Sequence, residues 1–313
     1  LSLTNSDFES FLENNLEHFA DVAAFQIITQ FVVFDNFHNI RIAIDPWSGK
    51  KFIIIHDGAF RKNLLLGRHN FDRFLYENQL FLSLSKNPIF LNSVYKSLDK
   101  ILNKEKYLDK IIQDLYLIEE EYKNSFKKDI GHIQRKYFAY IENENEDYFS
   151  YFINFLLERK NKINKILFKN PQSSWHEEKK MFFLKVDDKM PLTNIELEFN
   201  NKFPESIIFD FNNNKEIDSE DLYFYPDKNG KITIKGKFFS NRINFAQSNI
   251  LEITNNYEKK NKIENTKFGF FLNENFKIKN IYALNNYNKT KFLIKKEINK
   301  SHYPYAHNIP LFD

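Results

Sequence analysis

Along its 313 residues the chain changes the spacing of its apolar side chains more than once. Near the start, Ser6 followed by Glu9 forms a capping box ahead of Phe8, Phe11, Leu12 and Leu16, whose three-and-four spacing predicts a helix ending near Phe19. Ile27 to Phe34, Asn39 to Ile44 and Phe52 to Ile55 are short β-branched and aromatic runs, expected as strands. Between the last two, Asp45, Pro46, Trp47, Ser48 and Gly49 read as the turn of a hairpin. Breaks at Asp57, Gly58 and Gly67 precede helical patterning from Asn70 through Leu84.

From Pro88 onward, Leu98, Ile101, Leu102, Leu108, Ile111, Ile112, Leu115, Ile118, Tyr122 and Phe126 recur mostly every three or four residues, with charges between them. That is the pattern of amphipathic helix. Lys104 to Lys127 approaches heptad spacing but is too short for a sustained coiled coil, so an intramolecular helical hairpin is expected. Gly131 marks a break, and another helix is predicted from Tyr148 to Phe168, stopped by Asn170 and Pro171.

After Trp175 the period becomes two. Strands are expected at Met181 to Val186, Ile195 to Phe199, Ile207 to Phe211, Leu222 to Tyr225, Ile232 to Ile234, Phe268 to Phe271, Ile278 to Leu284 and Phe292 to Ile294. Asp227, Lys228, Asn229 and Gly230 supply the clearest tight turn among them. The chain is therefore read as α+β, with an N-terminal α/β segment, a central helical region and a C-terminal antiparallel β-sandwich. The boundary is placed between Phe168 and Trp175, which gives a mixed α/β plus helical domain over 1–170 and a β-sandwich domain over 171–313.

Composition narrows the chemistry more than it identifies it. With 42% hydrophobic residues, 35 Phe and 16 Tyr, there is enough apolar surface to offset the entropy of folding. The 45 basic and 42 acidic side chains leave a net charge of +3, far from the basic footprint of a dedicated nucleic-acid binder. The absence of cysteine excludes disulfides, thiolate metal sites and a catalytic thiol. Ala20 to Phe34 is interrupted by Asp21, Gln26 and Gln30 and is too short to span a bilayer, so no transmembrane segment is expected. The cytoplasm is the favoured compartment, and a start at Leu1 suggests an upstream segment.

The densest polar cluster runs from Asp45 to Arg73, at strand ends and the following loop, where sites are commonly built. His56, Asp57 and His69 are the catalytic candidates, His56 as a general base oriented by the carboxylate of Asp57. Asp45, Trp47, Arg61, Arg68 and Arg73 are the ligand-binding candidates, the arginines as bidentate clamps for a phosphate or sugar nucleotide. The competing reading is an ordinary polar strand end, since adjacent residues on a strand point to opposite faces.

The few glycines match no dinucleotide fingerprint, phosphate loop or nucleophile elbow, and no cofactor is nominated. Asp210, Asn212, Asn214, Asp218 and Asp221 fall on ligand positions of a twelve-residue calcium loop. Lys215 stands where that loop needs glycine and Asp221 where it needs glutamate, so an Asn-rich connection is the reading adopted and no metal site is assigned.

The junction Trp175 to Glu178, followed by strand-rich text including Ile207, Ile208, Phe209 and Asp210, resembles accessory β-sandwich regions of bacterial surface-polysaccharide glycosyltransferase proteins. The resemblance covers Trp175 to the end and carries over no catalytic residue. It implies a carbohydrate-handling protein, either an enzyme fragment of glycan assembly with glycosyltransferase-type transfer or a sugar-binding accessory protein, with a glycan or sugar nucleotide as ligand. The alternative is an interaction scaffold without catalysis, its central helices docking a protein partner. A Mg²⁺-dependent nucleic-acid enzyme using Asp45, Asp57 and Asp72 stands third, with nucleic acid disfavoured by the near-neutral charge.

Overall fold

The computed structural model describes residues 5–29, 40–55, 79–85, 88–128, 148–186, 190, 192–200, 202–210, 214–235, 266–273 and 275–297. It is an α+β protein with a large mixed sheet, and it divides into two compact units. One comprises Ser10–Ser83 and Ser93–Ile166, the other Leu1–Glu9, Leu84–Asn92 and Leu167–Asp313.

The first helix, α1 (Asn5–Thr29), runs well past Phe19. Ala20, Ala23 and Ala24 favour helix and neither glycine nor proline interrupts the segment, so the β-branched pair Ile27 and Ile28 stays helical instead of opening the expected strand. Burial explains why this is tolerated. Phe19, Ala20, Val22, Ala23, Ala24, Ile27 and Ile28 are all in the core, and Phe19 meets Phe81 with ring centroids 6.2 Å apart. Thr29 closes the helix, and residues 30–34 of that expected strand lie outside the described residues.

The predicted hairpin is present as β1 (Ile40–Ile44) and β2 (Lys51–Ile55), antiparallel, with Ile42 opposite Ile53. The helices that follow are α2 (Gln79–Ser85), α3 (Pro88–Asp99), α4 (Tyr107–Lys128) and α5 (Tyr148–Leu167). A π-helical turn, Lys100–Lys104, ends α3, and Lys106 at φ 53° redirects the chain into α4. Three polar contacts, one from the π-helical turn and two from α4, set this stretch antiparallel to α5. Asn103 Nδ2 donates to Asn164 Oδ1 at 2.9 Å, Lys160 Nζ to Asp109 Oδ1 at 2.5 Å, and Ser150 Oγ to Glu119 Oε1 at 3.3 Å. Arg159, buried on α5, donates Nη2 to the carbonyl of Ile27, one of the last α1 carbonyls that lack a helical partner.

The β-rich unit holds β3 (Ser173–Glu178), β4 (Met181–Val186), β5 (Ile195–Phe199), β6 (Ile207–Phe209), β7 (Leu222–Phe224), β8 (Ile232–Ile234), β9 (Thr266–Phe271), β10 (Ile278–Leu284) and β11 (Lys291–Lys296). They form one nine-stranded sheet ordered β7-β6-β9-β4-β3-β11-β10-β5-β8. All paired neighbours are antiparallel except β11 and β3, which run parallel with Lys296 opposite Trp175. The two ends of the order meet at the Asp227–Gly230 turn. There Pro226 bridges Ile232 and Asp227 N–H donates to Lys231 O at 2.8 Å, so the sheet nearly closes on itself.

The expected antiparallel sandwich is therefore not confirmed, because the ladder continues through the parallel β11–β3 pair where two sheets would part. Trp175 is buried in the core of the sheet, and its Nε1 donates to Ile294 O at 3.1 Å. Phe182 stacks on Phe270 at 4.7 Å and Phe209 on Phe270 at 4.9 Å, so aromatic side chains fill the interior that the inward-facing positions enclose.

Candidate functional site

Of the residues singled out by sequence, Asp45 and Trp47 are described; His56, Asp57, Arg61, Arg68, His69, Asp72 and Arg73 lie outside the described residues. Asp45 is tied into its own turn. Its Oδ1 accepts Trp47 N–H at 3.3 Å, and its Oδ2 accepts Ser48 N–H at 3.2 Å and the Ser48 hydroxyl. The Ser48 hydroxyl and then the Trp47 amide hold the Asp45 carboxyl below the usual carboxylate range. Gly49 completes the turn at φ 67°, a conformation that favours glycine.

The same turn pushes Trp47 out, leaving it 91% exposed. Behind it the β2 edge is anchored on α1: Lys51 N–H donates to Asn15 Oδ1 at 2.7 Å and Ile53 N–H to His18 Nε2 at 2.9 Å. Acceptors three apart on a helix thus meet amides two apart on a strand, which fixes the tip that carries Trp47.

The second gathering is on α4. Leu108 and Ile112 are buried, while Tyr107, Ile111, Ile118 and Tyr122, beside them on the helix, are between 41% and 46% exposed. In heptad terms Leu108, Leu115 and Tyr122 share one core position and Ile111 and Ile118 the other, so an apolar seam roughly 22 Å long starts covered and then opens to solvent. Its solvent-side flank carries Asp114 and Glu121, both exposed. The sequence did hold this signal. Nine of the sixteen positions from Tyr107 to Tyr122 are apolar or aromatic, a wider arc than one neighbouring helix covers, yet spacing alone does not show which part stays open.

Of the calcium-loop positions Asn212 lies outside the described residues, and the described part, Asn214 to Asp221, is held by the carboxylates of Asp210, Asp218 and Asp221. Lys215 takes φ 63° where a calcium loop has glycine, and its N–H donates to Asp210 Oδ2 at 3.2 Å. Asp218 N–H donates to Asp221 Oδ2 at 3.1 Å and Glu220 N–H to Asp218 Oδ1 at 2.8 Å. Among the described residues no group of three or more His, Asp or Glu side chains is arranged to hold a metal ion.

Buried polar groups also collect on β3 and β4, where sequence reading had placed only a junction. His176 Nε2 lies 3.3 Å from Glu178 Oε1, with its ring stacked on Phe183 at 5.3 Å. Ser174 Oγ donates to Glu297 Oε1 at 2.7 Å, Lys185 Nζ lies 3.6 Å from the same oxygen, and Glu297 N–H donates to Trp175 O at 2.8 Å. These contacts fasten the parallel β11–β3 seam. No helix among the described residues is long and apolar enough to cross a membrane. No protein-family model, curated protein or solved structure matches the chain.

Proposed function

We propose that the protein works as an interaction scaffold whose helical unit docks a protein partner along α4. The observation that carries this reading is the apolar seam through Ile111, Ile118 and Tyr122, open on a helix whose adjoining positions, Leu108 and Ile112, already lie in the core. Scattered exposed apolar residues are ordinary, whereas a continuous helical seam rimmed by charge is the surface that helix docking uses.

A photoreactive side chain placed at 118, with a second version at 113 on the solvent face of the same helix, tests the reading in the cell that makes the protein. One discrete protein cross-linked at 118 and absent at 113 is the expected result. Equal labelling at both positions, or none at 118, sinks it.

The carbohydrate reading is favoured by one feature, Trp47, whose ring stands free at a rigid hairpin tip as a platform for stacking on a sugar face. In that reading the chain is a sugar-binding accessory protein, with the arginines of residues 61–73 completing the ligand contacts. It requires Trp47→Ala to lose binding of sugar nucleotides or oligosaccharides in calorimetry; an unchanged isotherm would remove it.

A further inference from the structure

We infer that the partner of the α4 seam is an amphipathic helix with lysine or arginine flanking its own apolar stripe, and not a second copy of this chain. The inference rests on the docking reading above and adds the chemistry of the occupant. From Tyr107 to Tyr122, Asp109, Asp114, Glu119, Glu120 and Glu121 stand against Lys110 alone, an acidic segment in a chain whose net charge is +3.

The distribution of those charges matters more than their number. Asp109 is already paired with Lys160 at 2.5 Å, Glu119 accepts the Ser150 hydroxyl, and Lys110 lies over the Tyr107 ring at 5.3 Å. Asp114 and Glu121 are one heptad apart on the open flank of the seam, at positions from which charged side chains reach across to a partner helix and select it. A cationic side chain opposite each would complete the interface.

Self-pairing arranges the same charges badly. In an antiparallel pair of identical helices this flank meets its own copy, so Asp114 and Glu121 face acidic or tyrosyl side chains. In a parallel pair it meets the opposite flank, where Ile112 is buried against its own chain and Glu119 is acidic. Like charges across an interface disfavour that partner, which leaves a basic helix as the complementary occupant.

Two synthetic three-heptad peptides with the same leucine seam, one flanked by lysine and the other by glutamate, test this on the full chain. The lysine peptide is expected to bind about tenfold or more tighter than its glutamate twin and to weaken as salt rises. Asp114→Lys with Glu121→Lys should reverse the preference. Ile118→Asp should abolish binding, although it adds a negative charge; binding by charge alone would strengthen instead and would overturn the inference. Should Ile118→Asp melt early by circular dichroism, Ile111→Asn replaces it with the same expected loss.

Equal binding of both peptides through the seam overturns the basic partner while the docking reading stands. Binding of neither, or a dimer of the native chain by sedimentation that Ile118→Asp dissolves, overturns it as well. An absence of cross-linking at 118 is the separate outcome that removes the docking reading itself.

Discussion

Glu196 on β5 shows how one side chain can carry part of the pH response of the β-rich unit. Lys291 from β11 approaches its Oε2 at 2.5 Å and Lys231, beside β8, at 2.9 Å. Burial pushes the Glu196 carboxyl up, but hydrogen bonds from Lys291 and Lys231 outweigh burial and leave it below its ordinary value of 4.5. Lys231 moves the opposite way, raised above 10.5 chiefly by its hydrogen bond to Glu196. A lowered carboxylate contributes stability that is complete above its unfolded value and is lost as pH falls through its folded one. Glu196→Gln should therefore cost roughly 0.5–1 kcal/mol at neutral pH and close to nothing in acid, where the native Glu196 is protonated in both the folded and the unfolded chain. Melting curves at pH 7 and at about pH 2 decide it; a difference that persists unchanged in acid would show that the charge is not the source.

At the scale of elements, what the sequence revealed follows from how local the cause is. The β1–β2 hairpin was legible because strand period, turn residues and Gly49 all lie within a few positions. The end of α1 was not, since Ile27 and Ile28 carry strand propensity that the alanine-rich helix before them and their burial in the core together override. β3 escaped for a related reason: every residue of Ser173–Glu178 but Trp175 is polar, and its Ser174 and His176 are buried beside Glu297, far along the chain, and Phe183 on the neighbouring strand. The proposed catalytic residues lie outside the described residues, and the hydrogen bonds that tie Asp45 into its own turn were not legible because composition does not show them.

The hairpin also has a dependence no sequence pattern announces, the docking of its β2 edge on α1. His18 accepts the Ile53 amide, so the ring carries its proton on Nδ1, and its edge meets Phe52 at 5.5 Å. His18→Ala should leave the Ile53 amide without that partner, costing about 1–3 kcal/mol in the helical unit and speeding hydrogen exchange at Ile53. Unaltered exchange at that amide would mean the hairpin is held by something other than this edge.

For the whole molecule, the decisive feature of the β-rich unit is closure, and closure was the least legible property. The Asp227–Gly230 turn was predicted from its residues, yet what it joins are the two ends of a nine-strand order rather than two long-paired strands. Likewise β11, the last strand in sequence, threads between β10 and β3, a placement set by long-range pairing. Gly230 stands at φ 75°, and a Cβ added there would overlap the Phe203 ring. Gly230→Val therefore combines a disfavoured backbone conformation with a clash at the one point where β7 and β8 come together. The expected outcome is a melting temperature lowered by several degrees, with concentration-dependent association by size-exclusion chromatography as the freed strand edges pair between molecules. The turn in the native chain withholds those edges, so a variant that melts as the native protein does and stays monomeric would show that the sheet remains shut without this turn.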